Sequence, residues 1–347
     1  MLNTSTTSYS GLRVLLILAC LVIIIAGLKS ASAIVVPLLI ALFLAMLVTP
    51  LMIWLREKGI PTIVALILIL IILIGFVAIV GSLIGTSINE LSGALPAYEQ
   101  KLRVAQEKTI IFVGSLGIDL PTEGIGELID PREAAQLFGG LLTSFGGILS
   151  DSLLIIFMVL FVLVEAIALP AKLRTIFPNP EKTMVNFAGF MEDLKKYLVI
   201  KTAVSLLTGV LVTIWLTILG VEFAILWGFL AFLLNFVPYV GSLIAAVPVV
   251  VLGMLDIGLT HAILIAAGYL TVNMIVGNLL EPRFMGQGVG LSTLVVFLSL
   301  VFWGWVFGPV GMFLSVPLTM LVKIGLEHYP KSQWIAVLLS AEIKKKR

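Results

Sequence analysis

The chain has 347 residues, of which 60% are hydrophobic and only 12% are charged. A soluble domain carries roughly 25% charged residues, so this excess of apolar side chains predicts a protein embedded in a lipid bilayer. A net charge of +2 is too small for a nucleic-acid-binding surface, and a single cysteine excludes an intrachain disulfide framework. With only two histidines, the composition favours a carrier or a channel over an enzyme and indicates no metal or cofactor.

Three membrane-crossing helices are predicted in the first part of the chain, at 14–28, 34–54 and 63–84. Each has all or nearly all of the ~20 apolar residues that a helix needs to cross the bilayer. The first resembles a signal peptide, but its apolar run is long and a second span follows at once, which favours an uncleaved helix. Residues 1–85 are therefore expected to form an N-terminal transmembrane unit.

The next segment, 86–147, is polar and of mixed charge. Acidic and basic side chains occur throughout it, and Pro96, Pro121 and Pro131 mark turns. We expect it to form a small extramembrane helical layer between the third and fourth spans.

The following unit, 148–198, combines a fourth span with a surface helix. The span is expected at 148–169 and to end at Pro170, because proline disrupts helices. Apolar side chains at 184–198 then recur every three or four residues, which predicts an amphipathic helix in the membrane interface. A cytoplasmic continuation of the next span would give the same periodicity and is the alternative.

The segment 199–327 is predicted to be a transport core. Single crossings are expected at 199–219 and 262–280. The apolar stretches 223–255 and 291–326 are too long for one crossing, so each is predicted to be a helix–break–helix hairpin, either re-entrant or fully crossing. The interrupting residues are Pro238, Gly241 and Pro248 in the first stretch, and Gly304, Gly308, Pro309, Gly311 and Pro317 in the second.

The two broken stretches share a pattern, because the motif from Phe236 to Gly241 resembles the motif from Phe307 to Gly311. If each hairpin returns to its own side, lysine and arginine concentrate on one side, which places both termini and a basic tail at 328–347 in the cytoplasm. The helices before the two hairpins then run in opposite directions. Paired broken segments in inverted units are a strong sequence pointer to a transport site.

The predicted fold class is therefore all-α: a polytopic membrane helix bundle with broken or re-entrant helical hairpins and a small polar extramembrane insert. Unwound backbone at membrane depth persists only where protein, water or substrate satisfies its polar groups, so the breaks and nearby polar side chains form the candidate substrate pathway. The candidates are Asn235, Pro238, Tyr239, Gly241, Ser242, Asn273, Asn278, Glu281, Arg283, Pro309 and Gly311.

Each candidate has a purely structural alternative. The prolines and glycines can simply kink helices, and the asparagines can hydrogen-bond between helices. For Glu281 and Arg283 the alternative is an interfacial ion pair that anchors a helix end.

Glu165 and Glu281 are the candidates for proton or ion coupling, since an ionisable group inside a membrane marks an ion pair or a transport function. For Glu165 the alternative is a pair with Lys172, Arg174 or Lys201 at the cytoplasmic boundary. Lys201 lies close enough to a predicted helix end to snorkel to the interface.

Three stretches of the chain resemble a known family. They are YLVIKTA at 197–203, GNLLEPRFMG at 277–286 and GLSTLVVFLSL at 290–300. On these the chain is identified as similar to the autoinducer-2 exporter family, and in particular to its TqsA-type branch. Ser292 and Thr293 stand where many members of the family carry a His-Pro pair.

The resemblance implies a multispanning carrier of the bacterial inner membrane that assembles as a homo-oligomer, with a pentamer as the expected form. It implies export of the quorum-sensing signal autoinducer-2, a small and heavily hydroxylated ring whose binding needs many hydrogen-bond partners and little fixed charge. Other members of the family are associated with sodium/proton exchange. A cation/proton antiporter and an oligomeric channel or scaffold without coupled transport are therefore the alternatives.

Overall fold

The computed structural model describes residues 8–83, 85, 86, 93, 100, 150–176, 180–238, 240–285, 290–327 and 332–341. Within this part of the chain the regular elements are helices, and six of them are long and apolar enough to cross a membrane. Almost all of the predicted insert at 86–147, and the basic end of the tail, lie outside the described residues.

The helices are numbered in chain order. They are α1 (Ser8–Ser30), α2 (Ser32–Glu57), α3 (Thr62–Leu83), α4 (Ser152–Ile176), α5 (Pro180–Ile218), α6 (Ala224–Leu234), α7 (Gly241–Asp256), α8 (Leu259–Asn273), α9 (Glu281–Met285), α10 (Thr293–Phe313), α11 (Ser315–Glu327) and α12 (Gln333–Leu339). A π-helical segment, Met274–Leu280, joins α8 to α9 without a break.

Large apolar side chains cover the outside of the bundle. Ile63 on α3 and Phe161 on α4 are 71% and 74% exposed, and α1 presents an almost continuous exposed apolar surface. Water would penalise such a surface, whereas lipid tails solvate it. The chain is therefore an all-α polytopic membrane bundle, as its composition predicts.

Two helix boundaries differ from the sequence prediction. Helix α4 does not end at Pro170 but continues to Ile176, since a proline removes a single backbone hydrogen bond and can kink a helix without ending it. Helix α5 runs without interruption for 39 residues, or about 58 Å at 1.5 Å per residue, nearly twice the hydrocarbon thickness.

A separate interfacial helix at 184–198 is therefore wrong, and the alternative, an extension of the following span, is right. The sequence explains the continuity, because no glycine or proline lies between Gly189 and Gly209. The fifth span thus projects well beyond the bilayer on one side.

The two predicted helix–break–helix hairpins are both present. In the first hairpin, α6 ends at Leu234 and α7 begins at Gly241, with Pro238 in the break. In the second hairpin, α10 is sharply kinked at Gly308, whose φ of 65° and ψ of −148° are far from helical values. A φ in this region favours glycine, which carries no Cβ. The chain turns back there, because Gly311 packs against Trp303.

The later prolines do not interrupt the hairpins as expected. Pro248 lies inside α7, and Pro317 lies in the first turn of α11. Proline is well tolerated in a first turn, because the N–H that it lacks would have no intrahelical partner there. Only the Pro238 and Gly308–Pro309 sites are true breaks.

The breaks have equivalent tight contacts. A Cβ on Gly241 would collide with the carbonyl oxygen of Leu234, and a Cβ on Gly311 would collide with the carbonyl oxygen of Trp303. In each hairpin a glycine just after the proline thus lets the returning chain touch the backbone of the preceding helix. This shared packing strengthens the similarity that the two sequence motifs indicate.

We expect Gly241→Ala and Gly311→Ala each to lower the free energy of unfolding by about 1–3 kcal/mol, because the new methyl group meets rigid backbone. The measurement is thermal unfolding of the purified protein in detergent. Gly325→Ala is the matched control, since Gly325 is exposed on α11 with nothing within 4 Å of its Cβ position. Equal midpoints for Gly311→Ala and Gly325→Ala would contradict the proposed close approach.

Candidate functional site

The tips of the two hairpins meet in a cluster of four phenylalanines, which we call the tip cluster: Phe43, Phe232, Phe236 and Phe313. Phe236, in the first break, stacks on Phe313, at the end of α10, with ring centroids 4.1 Å apart. Phe43 of α2 meets both rings edge-on at 6.0 and 5.3 Å, and Phe232 meets Phe236 at 5.7 Å. The first break is thus joined by direct aromatic contact to the arm of the second hairpin that follows its break.

The tip cluster lies near the middle of the bundle. Phe43 follows the start of α2 at Ser32 by eleven residues, which corresponds to about 16 Å, or half of the ~30 Å hydrocarbon core. Phe43 and Phe236 are 8% and 3% exposed. The cluster therefore fills the space between the two broken hairpins with tightly packed apolar rings.

A buried ion pair lies close to the first break. The ammonium of Lys201 on α5 donates to a carboxylate oxygen of Glu281 at 2.7 Å, and the two side chains are only 7% and 20% exposed. Glu281 is the first residue of α9, directly after the π-helical segment. Because a π-helical turn changes the direction that later side chains face, this segment sets the direction of Glu281; such turns are frequent at functional sites.

Polar side chains extend this site along α5 toward the first break. Lys201, Ser205 and Thr208 are spaced to share one helix face, and all three are buried. The amide nitrogen of Asn235, in the break, donates to the hydroxyl of Ser205 at 2.9 Å. The hydroxyl of Thr202 is also buried and has no hydrogen-bond partner among the described residues. The first break thus opens onto a strip of polar groups.

The second hairpin has its own polar contacts. The hydroxyl of Thr319 on α11 donates to Ser299 on α10 at 2.7 Å and accepts from the indole nitrogen of Trp303 at 3.0 Å. The buried hydroxyl of Ser315, beside the turn, has no hydrogen-bond partner within the described part of the chain. These bonds hold α10 against α11.

The predicted site residues fall into two groups. The first group lies at the two breaks: Asn235, Pro238 and Gly241 in the first hairpin, with Ser242 one residue into α7, and Pro309 and Gly311 in the second. Tyr239 lies outside the described residues.

Three other predicted residues point elsewhere. Asn278 and Arg283 are exposed and Asn273 is half-buried. Neither asparagine side chain hydrogen-bonds to a described residue. In this single chain the side chains of Asn278 and Arg283 are on the surface.

Glu165 is also on the surface. Its carboxylate accepts from Lys172 at 2.5 Å, and the two side chains are 58% and 57% exposed. This is one of the pairings expected for Glu165, and Lys201 has Glu281 as its partner instead. Among the described residues no group of three or more histidine, cysteine or acidic side chains is arranged to hold a metal ion.

Lys201 is the site residue that sequence reasoning missed. Snorkelling was the expected explanation, but the structure buries the ammonium against Glu281, 80 residues away in the chain. The sequence did contain a signal, because Lys201 is a lysine within a predicted membrane span, and such a lysine is a functional candidate by default. Phe313 was likewise overlooked, since a single phenylalanine in an apolar stretch carries no sequence signal.

A helix bundle in which two broken hairpins meet at mid-depth is the architecture of a membrane transporter. Residues 18–331 match the model of the AI-2E family transporters. The chain is 40% identical to the AI-2 transport protein TqsA of Escherichia coli (strain K12) over 331 residues, covering 95% of this chain and 96% of that protein. It therefore belongs to the AI-2E transporter family, which confirms the family resemblance, and it is a multi-pass membrane transport protein.

Two further relatives cover the same length. The chain is 38% identical to the putative transport protein YhhT of Escherichia coli (strain K12) over 347 residues, covering 100% of this chain and 99% of that protein. It is 39% identical to a putative transport protein of Haemophilus influenzae over 334 residues, covering 94% and 96%. The matched length thus spans the segments that form both hairpins.

We expect Lys201→Met and Glu281→Gln each to lower the free energy of unfolding by about 3–5 kcal/mol, because each leaves the other charge buried and unpaired. The double variant should lose less than the sum of the two, since it buries no lone charge. Thermal or denaturant unfolding in detergent measures this double-mutant cycle. The exposed pair Lys172 and Glu165 is the control, with an expected coupling of about 0.2–1 kcal/mol; strictly additive losses at Lys201 and Glu281 would contradict the ion pair.

Proposed function

We propose that this chain exports a small, neutral, polar solute across the bacterial cytoplasmic membrane along a path between the two hairpins, and that autoinducer-2 is that solute. The observation that carries the proposal is the contact between the first break and the second hairpin at the Phe236–Phe313 stack. Transporters place their substrate sites near mid-depth, where broken helices of two repeats meet. The name of the relative TqsA, an AI-2 transport protein, supports the choice of solute.

The chemistry of the breaks suits a hydroxylated ring. Asn235, Ser205 and the hydroxyl of Ser315 offer neutral hydrogen-bonding groups beside the tip cluster. The carbonyl of Trp305, which Pro309 leaves without its usual helical donor, adds an acceptor without charge. A site of this kind binds a neutral polar molecule through many hydrogen bonds.

We place the remaining predicted residues in the same proposal. Pro238, Ser242, Pro309 and Gly311 line the path at the breaks, and Tyr239, which lies outside the described residues, is assigned to the path from its position in the sequence. Glu281 lies at its cytoplasmic end. Both termini are cytoplasmic in this arrangement, and the turn between α1 and α2 faces outward, as the positive-inside rule predicts.

We also propose that the chain works as a homo-oligomer, for which the family resemblance suggests a pentamer. Asn278 and Arg283 are polar side chains exposed on the surface of the α8–α9 helix, where lipid contact would be costly. A second copy packed on this surface would cover Asn278 and Asn273. Native mass spectrometry of the detergent-solubilised protein tests the assembly, and a monomer at all detergent concentrations would contradict it.

The direct test is flux of autoinducer-2 in proteoliposomes that contain only the purified protein. Protein-dependent transport of the solute is the expected result. No protein-dependent flux in either direction would contradict the proposal.

The tip cluster makes a second prediction, because it is the apolar barrier between the two ends of the path. Phe313→Ala should open a passive leak for small polyols such as glycerol, visible as faster swelling of proteoliposomes in stopped-flow light scattering. Phe161→Ala is the matched control, since Phe161 is 74% exposed on the lipid-facing side of α4. Equal swelling rates for both variants would mean that the barrier lies elsewhere.

Cation/proton exchange is the second candidate function, because Glu281 supplies a buried carboxylate at the end of the path. The double variant Lys201→Met with Glu281→Gln removes both charges together and avoids an unpaired one. We expect it to retain autoinducer-2 export. Loss of proton-coupled sodium uptake in this variant, with Glu165→Gln unaffected, would instead favour the antiporter.

A further inference from the structure

An open cavity of about 520 Å³ lies at the end of the bundle that carries the turn between α1 and α2. Its polar lining comes from three separate parts of the chain: Lys29 and Ser32 at that turn, Asp151 just before α4, and Trp305 and Gly308 at the kink of α10. Small-molecule sites typically have volumes of about 300–1,000 Å³. The cavity therefore has room for a small solute and reaches the second break directly.

Within the described part of the chain, the two charged groups of the cavity are not paired with each other. The ammonium of Lys29 lies 3.9 Å from the centre of the Trp305 ring. Neither Lys29 nor Asp151 forms a hydrogen bond or ion pair with another described side chain. The cavity thus holds one strong hydrogen-bond donor, Lys29, and one strong acceptor, Asp151, that do not pair with each other.

The kink of α10 adds backbone acceptors. Pro309 has no N–H, so it cannot supply the usual helical hydrogen bond to the carbonyl of Trp305, four residues earlier. The non-helical backbone of Gly308 interrupts the ladder at the same point. These carbonyl groups belong to residues that line the cavity.

The combination favours one class of ligand. Hydroxyl groups both donate and accept, so a polyhydroxylated molecule can donate to Asp151 and to freed carbonyls while accepting from Lys29 and Ser32. The charges of Lys29 and Asp151 cancel, so the lining favours neither a net anion nor a net cation. Such a lining matches a neutral polyol or sugar-like ring.

We propose that this cavity is a separate binding station for a neutral polyhydroxylated solute, on the outer side of the tip cluster. The inference rests on the proposed function, because the station would receive the solute after it passes the Phe236–Phe313 stack. It assigns binding roles to Lys29, Asp151 and Trp305, which lie outside the pathway derived from the hairpin breaks.

The test is binding of autoinducer-2 to the full-length protein in lipid nanodiscs by isothermal titration calorimetry. Asp151→Asn and Lys29→Gln should each raise Kd about tenfold, which is typical for loss of one hydrogen bond to a charged group. Glu57→Gln and Lys58→Gln are matched controls at the opposite end of α2. There Lys58 also lies over a tryptophan, Trp54, at 5.9 Å, but these residues do not line the cavity. These controls should leave Kd unchanged.

Chemical labelling provides a second measurement that leaves Lys29 and Asp151 unchanged, so it does not depend on whether the charge variants fold. In a Cys20→Ser background, autoinducer-2 should slow the reaction of a maleimide with Ser32→Cys and leave the reaction with Glu57→Cys unaffected. Equal protection at the two positions, or none at either, would overturn the station.

The outcomes separate this inference from the proposed function. Normal autoinducer-2 flux together with an unchanged Kd in Asp151→Asn and Lys29→Gln would overturn the station alone. Absence of flux in the unsubstituted protein would overturn the proposed function instead. Equally strong competition by glycine, a zwitterion, would overturn the assignment to neutral polyols.

Discussion

The stack of Phe236 on Phe313 is the contact on which the arrangement of the two hairpins depends. Phe236 lies in the first break and Phe313 lies four residues after Pro309, so the stack joins the first break to the second hairpin. An aromatic pair contributes about 0.5–1.5 kcal/mol beyond the area that it buries. A contact of this strength can close the space between the hairpins in one conformation and break in another. This is what a transporter requires of a barrier.

The Lys201–Glu281 pair complements the tip cluster by fixing the first hairpin from one side. It joins α5 to the helix that follows the π-helical segment, and Ser205 on the same face of α5 holds Asn235 in the break. Because the two charges neutralise each other, the pair adds no net charge beside the path. Burial of this pair is costly, and good geometry with extra hydrogen bonds is needed to offset it.

Local chemistry explains which features the sequence predicts. Proline and glycine change the backbone of their own segment, so the breaks at Pro238 and at Gly308–Pro309 are evident from sequence. Proline alone does not end a helix, as Pro170, Pro248 and Pro317 show. The ion pair and the tip cluster depend on tertiary packing. Glu281 is 80 residues from Lys201, and the π-helical segment that directs it has no sequence signature.

The distribution of charge along the proposed path bears on the kind of solute that it carries. Opposite charges occur together at each end, Lys201 with Glu281 at one and Lys29 with Asp151 at the other, while the centre is lined by four phenylalanine rings. A permanent charge at mid-depth costs about 2.5–3.5 kcal/mol on insertion scales, and phenylalanine offers no carboxylate to offset that cost. A neutral hydroxylated molecule can instead exchange hydrogen bonds with Asn235, Ser205 and freed backbone on its way. The centre of the path therefore favours a neutral solute over a bare ion, even though both ends carry charge.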